Sequence, residues 1–341
     1  MNPELLRNLW LQFSPQRIIA APLILGAVFA LAALATDSWH VVGWTARGAY
    51  VVIAYLWGTR RAVNVLADEI AAGTWDGQRM SSIGPWPMAW GKLIGGTIYV
   101  WYCALLCLAA HAAAEVATGR AAALVMDLPL DITGALLVHA VALLLALVLV
   151  GKGRRLSRRT VTFAQGGAFL VGFFGVSSVL LPSLTERLGF GVVETITWYG
   201  VAFPSSGFKL LTQILFLGWA VAAVYRLMAG ELQVRQRPWV WLSFSLFLIL
   251  YYQGFLLLGF AKRPQASDLA AILYLIVLYG ICGGLVVAAR ATSLLPLFLP
   301  GVGGSALLVI LAPLVQVILV GFLLRRRWTA QERALQLSPA V

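Results

Sequence analysis

The chain is built around apolar runs that are too long and too many for a water-soluble fold. Nine such runs lie at about 17–36, 44–66, 87–113, 132–151, 162–182, 207–229, 238–260, 268–290 and 303–324. Each approaches or exceeds the roughly 20 residues that a helix needs to cross a bilayer. Of 341 residues, 61% are hydrophobic and only 11% charged, against about 25% charged in a soluble domain. A soluble fold would have to bury almost every residue. An outer-membrane barrel would alternate apolar and polar residues with a period of two. The fold class that follows is an all-α polytopic membrane protein.

Lys and Arg outnumber Asp and Glu by 25 to 13, a net charge of +12. In a soluble chain this excess would point to nucleic acid. Here basic residues gather at span ends, as the positive-inside bias requires, and nucleic acid is not expected as a partner. Membrane lipids are, because anionic headgroups attract such clusters. The segment "GKGRRLSRR", with Lys152, Arg154, Arg155, Arg158 and Arg159, reads as cytoplasmic. Counting back places the N-terminus, with Arg7 and Arg17, and the 68–92 loop on the same side. The loops at 37–43, 114–131 and 183–206 then face outward. After about residue 230 the bias gives no consistent count. "SLLPLFLPGVGG" at 293–304 suggests a broken or re-entrant element.

The first residues read as a short interfacial helix. Asn2 is an N-cap, Pro3 a first-turn proline and Glu4 a dipole-favoured acid. Leu5, Leu6, Leu9, Trp10 and Phe13 share one face, with Arg7, Asn8 and Gln12 off it, the pattern of a helix lying in the membrane surface. Ser14-Pro15 marks a break before the first span.

Several functions lack their residues. All thirteen acids fall near span ends or in loops, which argues against an ion-coupled carrier, since such carriers use intramembrane carboxylates. His139, Gln165, Gln213, Gln253 and Gln316 lie within spans; His139 reads as bonded to a neighbouring helix. Arg290 reads as a snorkelling residue. Cys103, Cys107 and Cys282 read as small packing residues. "GPWPMAWGKL" has six residues between Gly84 and Gly91, and Leu93 follows Lys92. A phosphate-binding loop needs four, then Ser or Thr. No cofactor or metal site is expected in the chain, and no enzyme activity of its own.

The stretch "DEIAAGTWDGQRMSSIGPWPMAWGKLIGG", 68–96, interrupts this apolar background. Asp68 and Glu69 end the second span, Gly73-Thr74 permits a turn, and "WDGQRMSSI" has room for two helical turns near 75–83. "GPWP" stops that helix, and Lys92 opens the third span. A short surface helix between two spans is a lever, because a push on it tilts both. Its mixed surface suits a soluble partner. Trp75, Trp86 and Trp90 read as interface aromatics.

The order Glu, Gly-Thr, short helix, Pro, Gly-Lys-Leu resembles the permeases of ABC-2 type exporters. It matches at Glu69, Gly73, Thr74, Pro87, Gly91, Lys92 and Leu93. The resemblance covers about two thirds of the chain. It implies a connecting helix at 1–16, a six-span membrane domain at 17–230 and, as an addition to the family pattern, further hydrophobic segments at 231–341. It also implies short outer helices within "VVETITWYGVAFPSSG" at 192–207. Glu69, Gly73, Thr74, Trp75, Asp76, Arg79, Pro87 and Lys92 become the ATPase-coupling residues. The implied partners are two copies of a cytoplasmic ATP-binding subunit, which would hold ATP and Mg, and a second permease, identical or related. The implied location is the bacterial inner membrane. The expected activity is ATP-driven export of an amphipathic or hydrophobic substrate. Two rivals stand beside it: a membrane-integral enzyme acting on lipid-linked substrates, for which only Asp68, Glu69 and Asp76 cluster, and a non-transporting membrane anchor of an ABC-type complex.

Overall fold

A computed structural model describes residues 2–150, 162, 165–167, 194–199, 201–234, 240, 243–244, 247–248 and 250–251. These fall into two compact units, one made of 1–194 and 204–236, the other of 195–203 and 237–341. The expected spans at 268–290 and 303–324, the break at 293–304, Arg290 and the 152–159 loop lie outside the described residues, as do most of the runs at 162–182 and 238–260.

The first unit is helical. Its elements are α1 (Pro3–Gln12), α2 (Pro15–Thr36), α3 (Trp39–Tyr50), α4 (Gly58–Ala71), α5 (Trp75–Arg79), α6 (Pro85–Leu93), α7 (Ile98–Ala117), α8 (Leu124–Val150) and α9 (Ser205–Glu231). Among the described residues, four helical stretches are long and apolar enough to cross a membrane: Pro15–Thr36, Pro85–Ala117, Ala121–Leu149 and Ser205–Glu231. The chain is therefore a helical membrane protein.

Two of the helical runs are not regular. Between α3 and α4 a π-helical segment, Val51–Trp57, keeps the helix continuous. His139 explains its position: Nε2 donates to the Ala54 carbonyl at 2.7 Å, and the ring lies against Gly58, where a β-carbon would collide with it. A side chain inserted into the backbone ladder is a recognised cause of such irregularity. Between α6 and α7 the chain tightens into one 3₁₀ turn, Gly95–Thr97. Gln12 occupies that break. Its Nε2 donates to the carbonyls of Gly95 (2.8 Å) and Gly96 (3.0 Å), and its Oε1 accepts from the Tyr99 amide.

The interior joins Tyr50, Ala54 and Tyr55 to Ala104, Cys107, Leu108, Ala135 and Val138. α8 packs along α9 and α4, and α3 along α7. Among the described residues, polar side chains within spans bond across helices, Thr133 to Gln213 (2.7 Å) and Gln165 to Asn64 (3.2 Å). α2 packs one side on α3 and α7, with Leu25 and Phe29 against the core cluster, but Ala21 is its one fully buried residue.

Two expectations are corrected here. Among the described residues of 192–207, a hairpin stands where short helices were expected: Thr195–Trp198 (β1) pairs with Val201–Pro204 (β2). β-Branched and aromatic residues at these positions favour extended chain. Within the second unit, Trp198 and Tyr199 donate to the carbonyls of Tyr251 and Leu250. The fourth span does not begin at 132 either. Its helix starts at Leu124, so Asp127 and Asp131 lie inside it, and Asp131 is buried. Carboxylates are therefore not confined to loops and exposed helix ends.

Candidate functional site: a buried charge cluster under a surface helix

The C-terminus of α4 sets the site. Gly73 has φ +69, which glycine adopts without strain. With Gly73 turned this way, its amide bonds to Ile70 O and the Thr74 amide to Glu69 O, the Schellman arrangement that stops a helix. The Thr74 hydroxyl also donates to Glu69 O. The Gly-Thr pair is thus a helix stop, and it hands the chain to α5.

α5 is shorter than expected. Only Trp75–Arg79 is helical, one turn instead of two, and turns and bends follow at 80–82. Trp75 is buried instead of lying at an interface, and the Lys92 ammonium sits 5.1 Å from its ring centroid. That contact is a cation–π interaction. Ala72, Gly73, Thr74, Asp76, Gly77, Met80, Ser81 and Ser82 are exposed, so the outer face is made of small residues around the Met80 side chain, 84% exposed.

Beneath α5 lies a closed charge cluster. Lys92, 0% exposed, pairs with Glu69 and with Glu4 (3.2 Å), and donates to Gln78 Oε1 at 2.8 Å. Glu69 also pairs with Arg7 and accepts from Gln78 Nε2 at 2.9 Å. Arg7 bridges back to Glu4 at 2.9 Å. Two acids face two bases, so the burial carries no net charge. Burial works to raise the Glu69 carboxyl. The Lys92 charge and the hydrogen bonds from Lys92, Gln78 and Arg7 outweigh it and hold the group below its ordinary value. Asp68, by contrast, is exposed, so Asp68, Glu69 and Asp76 do not converge on one acidic centre.

The connecting helix reaches this cluster with its polar face. Glu4, Asn8 and Gln12, four residues apart, form the buried stripe of α1, while Trp10 is 83% exposed. The polar stripe therefore docks on the protein, while of the predicted apolar face Trp10 looks outward and Leu5, Leu6, Leu9 and Phe13 are half-buried, Phe13 against Tyr99 and Tyr102. Gly91 permits this approach, since a β-carbon there would lie 2.5 Å from Glu4 side-chain atoms. Asn2 caps α1 as expected and donates to Pro87 O at 2.6 Å. Pro87 thus takes part through its carbonyl in the first turns of α6.

Arg79 links α5 to a fourth helix, which sequence did not indicate. Its Nε donates to Glu231 O at 3.0 Å and lies 3.8 Å from the Glu231 carboxylate. Its Asp76 contact, at 3.5 Å, is the longer of its two hydrogen bonds. Reversing Arg79 would therefore strain the membrane domain as well as its surface. Asp76, whose side chain is 78% exposed, is the cleaner surface probe. Beside this end, Trp86, Trp90 and Tyr225 pack edge to face around a groove of about 720 Å³ lined otherwise by Ile214, Leu217, Gly218, Val221 and Ala222.

Cys103 and Cys107 are buried and unpaired. Among the described residues no three His, Cys, Asp or Glu side chains converge to hold a metal. Comparison of the chain with family models, curated proteins and solved structures gave no match.

Proposed function

We propose that the chain is the transmembrane permease subunit of an ATP-driven exporter of ABC-2 type. The observation that carries this reading is the tie between α5 and the membrane helices. Through Glu69, Gln78, Lys92 and Arg79, one exposed helical turn is fixed to α1, α4, α6 and α9. A buried ion cluster resists separation, because exposing or unpairing any member costs several kcal/mol. A partner that displaces α5 would move four elements together.

In this reading α1 lies in the cytoplasmic interface of the bacterial inner membrane. Asp76, Gly77, Met80, Ser81 and Ser82 form the docking face for the ATPase, and two ATPase copies serve two permeases. The bare apolar surface of α2 supports a place beside lipid or a second permease. The apolar groove between α6 and α9 supports a hydrophobic or amphipathic substrate. The rival enzyme reading loses its acidic centre, because Glu69 is committed to bases and Asp68 points away.

Asp76→Arg tests the proposal. A reversed charge at an interface can cost several kcal/mol in binding, whereas the same exposed pair is worth only about 0–1 kcal/mol to folding. The expected outcome is a normal amount of membrane-inserted protein with loss of co-purifying ATPase and of its ATP hydrolysis. Retention of a bound, active ATPase would remove α5 from the docking face.

A further inference from the structure

A second polar cluster lies where α3, α7 and α8 meet. Arg47 bridges Asp127 at 3.3 Å and Asp131 at 3.2 Å. Glu115 is matched by Arg120 at 2.8 Å, and His111 Nδ1 donates to Gly43 O at 3.2 Å. Tyr50, and more weakly Tyr55, donate to the backbone carbonyl of Asp131. α9 brings Gln213, and Lys209 lies one turn before it. Two carboxylates thus share one guanidinium, whereas the cluster beneath α5 is balanced.

The second observation is an uncommitted oxygen. Asp131 is 1% exposed; one carboxylate oxygen takes Arg47, and the other, Oδ2, is buried with no hydrogen-bond partner. Gln213 Nε2 is likewise buried and unpartnered, close to Gly134, one turn from Asp131. A buried acceptor in a membrane helix without a donor is costly, and an excess buried negative charge adds to that cost.

We propose that Asp131 is a proton-binding site, taking up one proton from water on Oδ2 and so neutralising the Asp127–Arg47–Asp131 group. The O–H bond formed on Oδ2 replaces one broken in hydronium, which leaves as water, and no further co-reactant is needed. The protonated acid attracts Arg47 less, so the α3–α8 contact becomes acid-sensitive. This inference is independent of the proposed transport function.

Infrared difference spectroscopy on the full-length protein in lipid vesicles, titrated between about pH 4 and pH 9, reads the site directly. The carbonyl band of a protonated carboxylic acid should grow as pH falls and be absent in Asp131→Asn. Asp127→Asn, a change at a part-exposed residue, removes the like charge. It should weaken proton uptake roughly tenfold, moving the band to lower pH. This variant decides the matter even if Asp131→Asn does not fold. A band that survives Asp131→Asn, or does not move in Asp127→Asn, would overturn the proposal. So would a band that sodium suppresses at fixed pH, since the site would then hold a metal cation.

Discussion

At the scale of single residues, the network around Lys92 makes the sharpest demand. Removing one partner from a buried ion group leaves a bare charge and costs about 3–5 kcal/mol, so Lys92→Met should destabilise the protein by that order. Pairing it with Glu69→Gln should restore part of the loss. Thermal unfolding in detergent would show it; equal melting of Lys92→Met and the wild type would contradict the cluster. Acid should act on the same group. Because Glu69 is held below its ordinary value of 4.5, its contribution is complete above about that pH and is lost as pH falls through the lower, folded value. The wild type should therefore lose melting temperature below about pH 4.5, and Glu69→Gln should lose less over the same window. Some of this cluster was legible. Asn2, Pro3 and Glu4 announced a helix start, and Glu69 and Lys92 were marked by their apolar surroundings. Arg7 and Gln78 were not, because their pairing depends on how α1 folds back onto α6, which spacing along the chain does not encode.

At the scale of elements, α1 is held by close approach of its polar stripe as well as by Phe13 packing on Tyr99 and Tyr102. Its polar stripe meets carbonyls at Gly91, Gly95 and Gly96, and β-carbons at Gly91 and Gly95 would meet Glu4 and Asn8 of α1. Gly91→Leu should push α1 off, and hydrogen exchange of its amides should rise at least roughly tenfold while α7 stays protected. Unchanged exchange would show that α1 docks without this contact. Amphipathic periodicity revealed that α1 has two faces, but not that the polar one turns inward; that follows from the lipid outside. The hairpin was missed for another reason. The resemblance favoured helices there, although Thr195, Ile196, Thr197 and Trp198 had the composition of a strand. The length of α5 was overestimated because Met80, Ser81 and Ser82 continue its mixed surface, whereas the α-type bonding ends with the Met80 amide to Asp76 O and the Ser81 amide turns back to Gln78 O.

At the scale of the whole molecule, the apolar runs sufficed for membrane class and for the positions of the helices at 15–36, 85–117 and 205–231. Charge inside them was harder to see, because Asp127 and Asp131 look like loop residues until α8 is found to begin at Leu124. The central proposal is an ATPase contact at α5, and Met80, which directly follows it, has an exposed side chain. A photoreactive amino acid at Met80 in native membranes, with the same probe at the exposed Trp10 of α1 as the control, tests this most directly. The account predicts an adduct from Met80, and not from Trp10, with a soluble ATPase carrying a phosphate-binding loop, its yield changing when ATP is added. Adducts with lipid alone from Met80, or an ATPase adduct equally strong from Trp10, would contradict it.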